Sequence, residues 1–194
     1  MNTLKIDRLR PTQMTHGERQ IRQKTAAYQA LSGHDLEMAI AEKPIAIVLG
    51  PNDEPFVIDH HHVTCALSRV GVKRVPFVLV RDLSSLSPAE FWLALENRSW
   101  VYPYDAERRR VPFRDMPRHM WDAVNDEFRS LAAFVRDAGG YDKTDVPLAD
   151  FRWADFLRAH FPRPESDAAF DALLKPALDL ARSDAAAGLP GFIG

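Results

Sequence analysis

Apolar and polar positions change their spacing along the chain, and the changes mark the elements. Residues 4–9 alternate loosely between apolar and polar and stop at Arg10-Pro11-Thr12-Gln13, which predicts an edge strand running into a turn. From 18 to 31 helix formers dominate, Ile21, Ala27, Tyr28 and Leu31 supply an apolar face, and Thr15 stands three residues before Glu18 as in a capping box. Ser32-Gly33-His34 ends that helix. Two unbroken apolar runs follow at 44–49 and 56–58, joined by Gly50-Pro51-Asn52-Asp53-Glu54-Pro55, and this is the pattern of a β-hairpin. A helix over 60–70, with Gly71 as its C-cap, leads to a further apolar strand at 75–80.

Ser87-Pro88-Ala89-Glu90 combines an N-cap serine, proline at the first helical position and glutamate at the third, so a helix is expected to about 97. Beyond it the texture changes. Trp100-Val101-Tyr102-Pro103-Tyr104-Asp105 is aromatic and interrupted by proline, and Arg108-Arg109-Arg110 is a short basic run. Helices are predicted over 120–124, 128–138, 149–160 and 168–187, with Gly139-Gly140-Tyr141 and Pro162-Arg163-Pro164 as breaks. The pattern is α+β: a small mixed sheet with helices over residues 1–82, then a helical C-terminal half, 83–194. No long flexible linker divides them, so one compact unit is expected.

Composition narrows the function classes. With 194 residues, 46% hydrophobic and 27% charged, the chain can bury a sizeable core, and a net charge of -2 is not the footprint of a duplex-binding surface. The single cysteine, Cys65, makes no internal disulfide, which fits a reducing compartment. No apolar signal segment opens the sequence and no run approaches ~18 apolar residues, so a cytoplasmic protein without a membrane span is expected.

Chemistry concentrates in one stretch, Pro55-Phe56-Val57-Ile58-Asp59-His60-His61-His62-Val63-Thr64-Cys65. Asp59, a favoured N-cap residue, marks a strand that turns directly into a helix, and such a turn aims backbone N–H groups and the positive end of the helix dipole at any bound anion. Successive helical residues diverge by about 100°, so on a regular helix at most two of His60, His61 and His62 converge on one ion; Asp59 could add a carboxylate for Mg, Mn or Zn. A histidine at this position suits phosphate contact or proton transfer near neutral pH. Cys65, beside Val63, Ala66 and Leu67, reads as core. Trp100, Tyr102 and Tyr104 could stack on a base or pin the helical half to the sheet, and the three arginines read as a solvated face.

Residues 4–82 resemble the ParB-like nuclease superfamily, which shares its fold with sulfiredoxin, through Asp7-Arg8-Leu9-Arg10-Pro11-Thr12, Pro44-Ile45-Ala46-Ile47-Val48, Val57 to His62 and Val75-Pro76-Phe77-Val78-Leu79-Val80. A narrower likeness, to the bacterial branch called putative ParB-like nucleases, runs to about 161. It rests on Phe91-Trp92, Trp100 to Asp105, Arg129-Ser130-Leu131, Gly139-Gly140-Tyr141-Asp142-Lys143-Thr144 and Phe151-Arg152-Trp153-Ala154-Asp155-Phe156. The resemblance implies nucleotide phosphates at the 59–62 turn, in branches that act as CTP-dependent DNA clamps, ATP-dependent sulfinate reductases, serine kinases or nucleases. His60 stands where glycine is common, and Val63 where an arginine usually clamps phosphate, so His62, Arg10 or a residue of the C-terminal half has to substitute. Cys65 is not at the sulfiredoxin cysteine position.

The resulting expectation is a protein that binds a nucleotide or other phosphate-bearing ligand and performs phosphodiester hydrolysis or phosphoryl transfer. Glu18, Asp59, His61 and His62 are the expected catalytic residues, with Glu18 the general base by likeness to the kinase branch. Arg10, Thr12, Gln13, His60, His61 and His62 are the expected ligand contacts, and Asp59 could hold a divalent Mg or Mn. The alternatives are a non-enzymatic nucleotide-gated DNA-binding or partitioning factor and an interaction protein with a vestigial site.

Overall fold

A computed structural model describes residues 2–194, which divide into two compact units: residues 2–16 with 21–125, and residues 17–20 with 126–194. The division lies well beyond position 82, because the segment after the last strand of the sheet stays with the sheet. The architecture is α+β, as the spacing predicts.

In the first unit β1 (Thr3–Lys5), β2 (Arg10–Pro11), β4 (Ile45–Gly50), β5 (Glu54–Val57) and β6 (Arg74–Asp82) form a mixed sheet in the order β1-β6-β4-β5-β2. β4 and β5 are the expected hairpin, antiparallel with Val48 opposite Phe56. β6 lies parallel to β4, and β2 lies parallel to β5. The predicted strand over 4–9 is broken in two: a 3-10 turn at Ile6–Arg8 intervenes, because Ile6 and Leu9 both go into the core and a continuous strand would send them to opposite faces.

Helices α1 (Glu18–Gln29), α2 (Gly33–Ala41) and α3 (His61–Arg69) frame one core with the sheet, built on Ile21, Ile45, Ile47, Val57, Val63, Ala66, Leu67 and Val75. α1 ends before Ser32-Gly33-His34 as expected, and a further helix that the sequence reading did not foresee, α2, starts at Gly33. Its Leu36, Ala39 and Ile40 have helical spacing and pack against that core, although no residue of α2 is fully buried. α3 ends as expected: Val72 N–H bonds Leu67 carbonyl and Gly71 N–H bonds Ser68 carbonyl, with Gly71 at φ +85. The opposite face of the hairpin, Val48 and Phe56, packs with Phe91 and Leu95 of α4 (Pro88–Glu96). The expected helix over 120–124 is a 3-10 turn at Met120–Asp122. It is cut short because Val124–Asn125 (β7) pairs in parallel with Thr15–His16 (β3).

The second unit packs α5 (Glu127–Asp137), α6 (Ala149–His160) and α7 (Asp167–Ala181) around Leu131, Trp153, Leu157 and Phe170. Tyr141 stacks on Trp153 at 4.0 Å between ring centroids and donates its hydroxyl to Ala132 carbonyl at 2.9 Å, and burial pushes that phenol well above its ordinary pKa. Residues 17–20 belong here. Arg19 pairs with Glu127 (2.7 Å) and Asp167 (2.5 Å) and lies 4.2 Å from the Phe170 ring centre. The start of α1 is capped from α5: Arg19 N–H donates to Ser130 Oγ at 3.2 Å. The expected Thr15–Glu18 capping box is therefore absent, since Thr15 lies in β3 and its buried Oγ1 has no hydrogen-bond partner among the described residues.

Two expectations follow. A Cβ on Gly17 would lie 2.9 Å from both the amide nitrogen and the Oγ of Ser130, so Gly17→Ala should cost about 2 kcal/mol in urea denaturation, since the overpacked contact is largely backbone. At the start of α4, Ser87 and Glu90 exchange the hydrogen bonds of a capping box, and the Ser87 hydroxyl and amide hold the Glu90 carboxyl below its usual pKa. A depressed carboxylate stabilises fully above its unfolded pKa and loses that contribution as pH falls through the folded one. Ser87→Ala should thus lower the melting temperature at neutral pH, and the gap to wild type should narrow on acidification below the ordinary glutamate range.

Candidate functional site

β2 and β5 run side by side in the same direction, Arg10 opposite Phe56 and Pro11 opposite Val57, so both strands end at the same edge of the sheet. Thr12 and Gln13 follow β2, and residues 58–60 follow β5 into α3. Thr12 closes the junction. Its Oγ1 donates to Val57 carbonyl at 2.8 Å and its N–H donates to His61 Nε2 at 3.2 Å, so the first residue of α3 is tied to the neighbouring strand.

Those donors fix the state of one ring. A backbone N–H only donates, so His61 Nε2 carries a lone pair and a neutral ring bears its proton on Nδ1. His61 is 6% exposed and Thr12 is fully buried. His61 is built into the junction, and its acceptor nitrogen is already engaged.

His60 differs. It is the N-cap of α3, where Asp59 was expected, and it has φ 64 and ψ 30, the left-handed conformation that favours glycine. This accounts for the glycine common at the position in the resembled signature. Asp59 serves the turn from one residue earlier, with Oδ1 accepting from His60 N–H at 2.6 Å. A carbonyl only accepts, so His60 donates Nδ1–H to Pro44 carbonyl (3.2 Å), and the neutral ring keeps its lone pair on Nε2, 3.9 Å from Asp59 Oδ2. The Asp59 side chain is 74% exposed and that of His60 36%. His62 is half-buried, one position into the helix. The first intrahelical bond of α3 runs from Thr64 N–H to His60 carbonyl at 2.9 Å, so the leading amides face the turn and not a preceding helical turn.

The remaining expected residues are distributed unevenly. Gln13 is brought to this edge: it is bridged to Tyr102, and its buried Oε1 has no hydrogen-bond partner among the described residues. Arg10 is turned the other way, its guanidinium paired with Glu54 and 5.1 Å from the Phe56 ring centre, toward the hairpin end of β5. Glu18 begins α1 and belongs to the second unit. Cys65 is core, as expected, and its thiol lies 3.2 Å from Met120 carbonyl. Sequence reasoning missed how the aromatic segment is used: Tyr102 N–H bonds Thr12 carbonyl and Met14 N–H bonds Tyr102 carbonyl, so 100–104 braces the loop after β2. Only the aromatic density of the segment hinted at this. The basic run is locally paired, Arg109 with Asp105 and Glu107, and Arg110 with Glu96.

Among the described residues no group of three or more His, Cys, Asp or Glu side chains has the geometry to hold a metal ion, and no helix is long and apolar enough to cross a membrane. A carboxylate such as Asp59 could still share an ion with a ligand's own oxygens.

The family model described as "Putative ParB-like nuclease" matches residues 2–159. The crystal structure of protein Atu1540 from Agrobacterium tumefaciens is similar over 100% of this chain and 97% of that one, with 38% sequence identity and a TM-score of 0.90. No curated protein matches.

The left-handed turn is open to a stability test. Glycine at 60 removes the conformational cost and loses the Pro44 bond, so His60→Gly should stay within about 1 kcal/mol of wild type, whereas β-branched His60→Val should lose roughly 2 kcal/mol. Urea denaturation of both variants reads the order, and a more stable valine variant would contradict the assigned backbone.

Proposed function

Because this chain belongs to the putative ParB-like nuclease family, we propose that it binds a phosphate-bearing ligand, a nucleotide or a nucleic acid, at the turn between β5 and α3 and acts there as a phosphodiester hydrolase or phosphotransferase. The observation that carries this reading is the pairing of a helix N-terminus with two exposed proton-handling groups at the shared end of parallel strands β2 and β5. Amides at the start of α3 and the helix dipole favour negative charge there, worth typically 0.3–1 kcal/mol at an exposed site.

Roles follow from which atoms are already engaged. His61 positions the turn through Thr12, since its Nε2 lone pair is taken. His60, with Nε2 directed away from Pro44, and the neighbouring His62 contact phosphate and move a proton. Gln13 supplies a hydrogen bond by either end of its amide. Asp59 orients His60 through Oδ1, and its exposed Oδ2 is the candidate ligand for a divalent Mg or Mn carried in with the phosphate. The missing arginine clamp implies weaker nucleotide affinity than in relatives that keep it.

Calorimetry with ATP, ADP, CTP and inorganic phosphate, with and without Mg or Mn, tests binding. His62→Ala should weaken it about tenfold, the equivalent of ~1.4 kcal/mol, and His61→Ala should instead lower stability. Plasmid and oligonucleotide cleavage should require the divalent ion and fall with Asp59→Ala; silence in every titration would remove this reading.

A further inference from the structure

Trp121 is 49% exposed and lies outside the hydrophobic cores. On the 3-10 turn at Met120–Asp122 the apolar anchor is its neighbour Met120, which is buried and sets its carbonyl 3.2 Å from Cys65 Sγ of α3. The indole turns outward instead. It stacks on the His119 imidazole with 4.8 Å between ring centroids and 5° between planes. Asp122 holds that imidazole in position: its Oδ2 accepts from His119 N–H at 3.1 Å and lies 2.9 Å from Nδ1. One face of the indole is thus covered by a fixed ring, and the other meets no ring or cation among the described residues. Arg118, next to the stack, is exposed and makes no ion pair among the described residues.

We propose that this stack is a platform for single-stranded nucleic acid, on which a base lies against the open face of Trp121 while Arg118 contacts a flanking phosphate. A flat ring pair with a free cation beside it matches the chemistry of a heteroaromatic base joined to phosphate, and every base has a face to offer. The position agrees. Met120 packs on α3 at Cys65, one helical turn after His61, and at the other end of the segment Val124 N–H bonds Met14 carbonyl in the loop after β2. Residues 119–124 therefore join the two elements that flank the turn between β5 and α3, and a strand with one phosphate at that turn can continue along α3 to Trp121. This path rests on the phosphate reading given above; the base contact rests on Trp121 alone.

Other occupants fit less well. Sites for free nucleotides are concave and bury most of the ligand, whereas both rings here stand about half exposed. In a duplex the base faces are already stacked on one another, and a net charge of -2 offers little attraction to two phosphate backbones. A protein partner needs a far wider contact than one indole and one imidazole supply.

Fluorescence anisotropy of the full chain with labelled oligothymidylate at low salt tests the platform. The single strand should bind more tightly than a duplex of the same length, thymidine monophosphate, or an abasic strand with as many phosphates. Trp121→Ala should weaken binding of the single strand roughly tenfold, to the abasic value, and Trp121→Phe should keep most of it. Arg118→Ala should flatten the slope of log K against log salt by about 0.7, the loss of one phosphate contact. Unchanged circular dichroism and urea midpoints show that these surface variants keep the fold. Equal affinity for abasic and base-bearing strands, or a Trp121→Ala variant that binds like wild type, overturns the proposal, and an equal Trp121-dependent loss for thymidine monophosphate overturns the strand as its ligand. Inorganic phosphate reads the turn separately. If His62→Ala weakens phosphate binding but base-bearing strands gain nothing, the platform fails and the turn stands; base-dependent binding that ignores His62→Ala leaves the platform and removes the turn; no binding of any probe overturns both.

Discussion

The bond from Thr12 N–H to His61 Nε2 is the constraint on which the rest of the first unit depends. A strand of only two residues, β2, has little pairing of its own, yet it must sit in register with β5 to finish the sheet. Thr12 secures it twice, once to the carbonyl end of β5 and once to the helix that β5 feeds. A buried polar group left unpaired costs roughly 1–3 kcal/mol, so the interior position of this tie makes it specific as well as stabilising. It also fixes where the exposed groups fall. With His61 turned inward to meet Thr12, its neighbours His60 and His62 have to project elsewhere, and the turn gains accessible imidazole on either side of a buried one.

The second unit is organised by close packing more than by polar ties. Gly17 lets the chain pass against Ser130, Gly140 lies against Val135 and Leu178, and Tyr141 and Trp153 stack face to face. Ser130, Gly140, Tyr141 and Trp153 come from the segments that carry the narrower family likeness, and their work here is structural. Buried charge is handled by pairing: Asp126 caps α5 through Phe128 N–H and meets Arg158 at 2.5 Å, and burial raises its carboxyl above the usual range in spite of the guanidinium.

How far the sequence foretold this depended on whether the signal was local. The hairpin, α3 with its Gly71 cap, α4 with its capping box, and α6 all carried their determinants within a few residues, and all form as the spacing predicts. Errors arose where a distant partner decided. Ser130, over a hundred residues away, caps α1 and displaces the Thr15 box. Pairing with Thr15 and His16 draws Val124 and Asn125 out of a helix. At the site, the strand-to-helix turn was legible because Phe56-Val57-Ile58-Asp59 is a local signal, but the exchange of roles between Asp59 and His60 was not, since a left-handed residue other than glycine leaves no trace in composition. The pairing of Arg10 was illegible for the same reason: nothing near it in sequence announces Glu54.

Cys65 sits one turn into α3 with its sulfur against Met120 carbonyl, the sole thiol of the chain and almost wholly enclosed. Alkylating reagents can reach that sulfur only when the helix lifts from the 3-10 turn beneath it. The rate of its modification is therefore a built-in gauge of local opening at the base of the turn, readable in the unmodified protein without any introduced label.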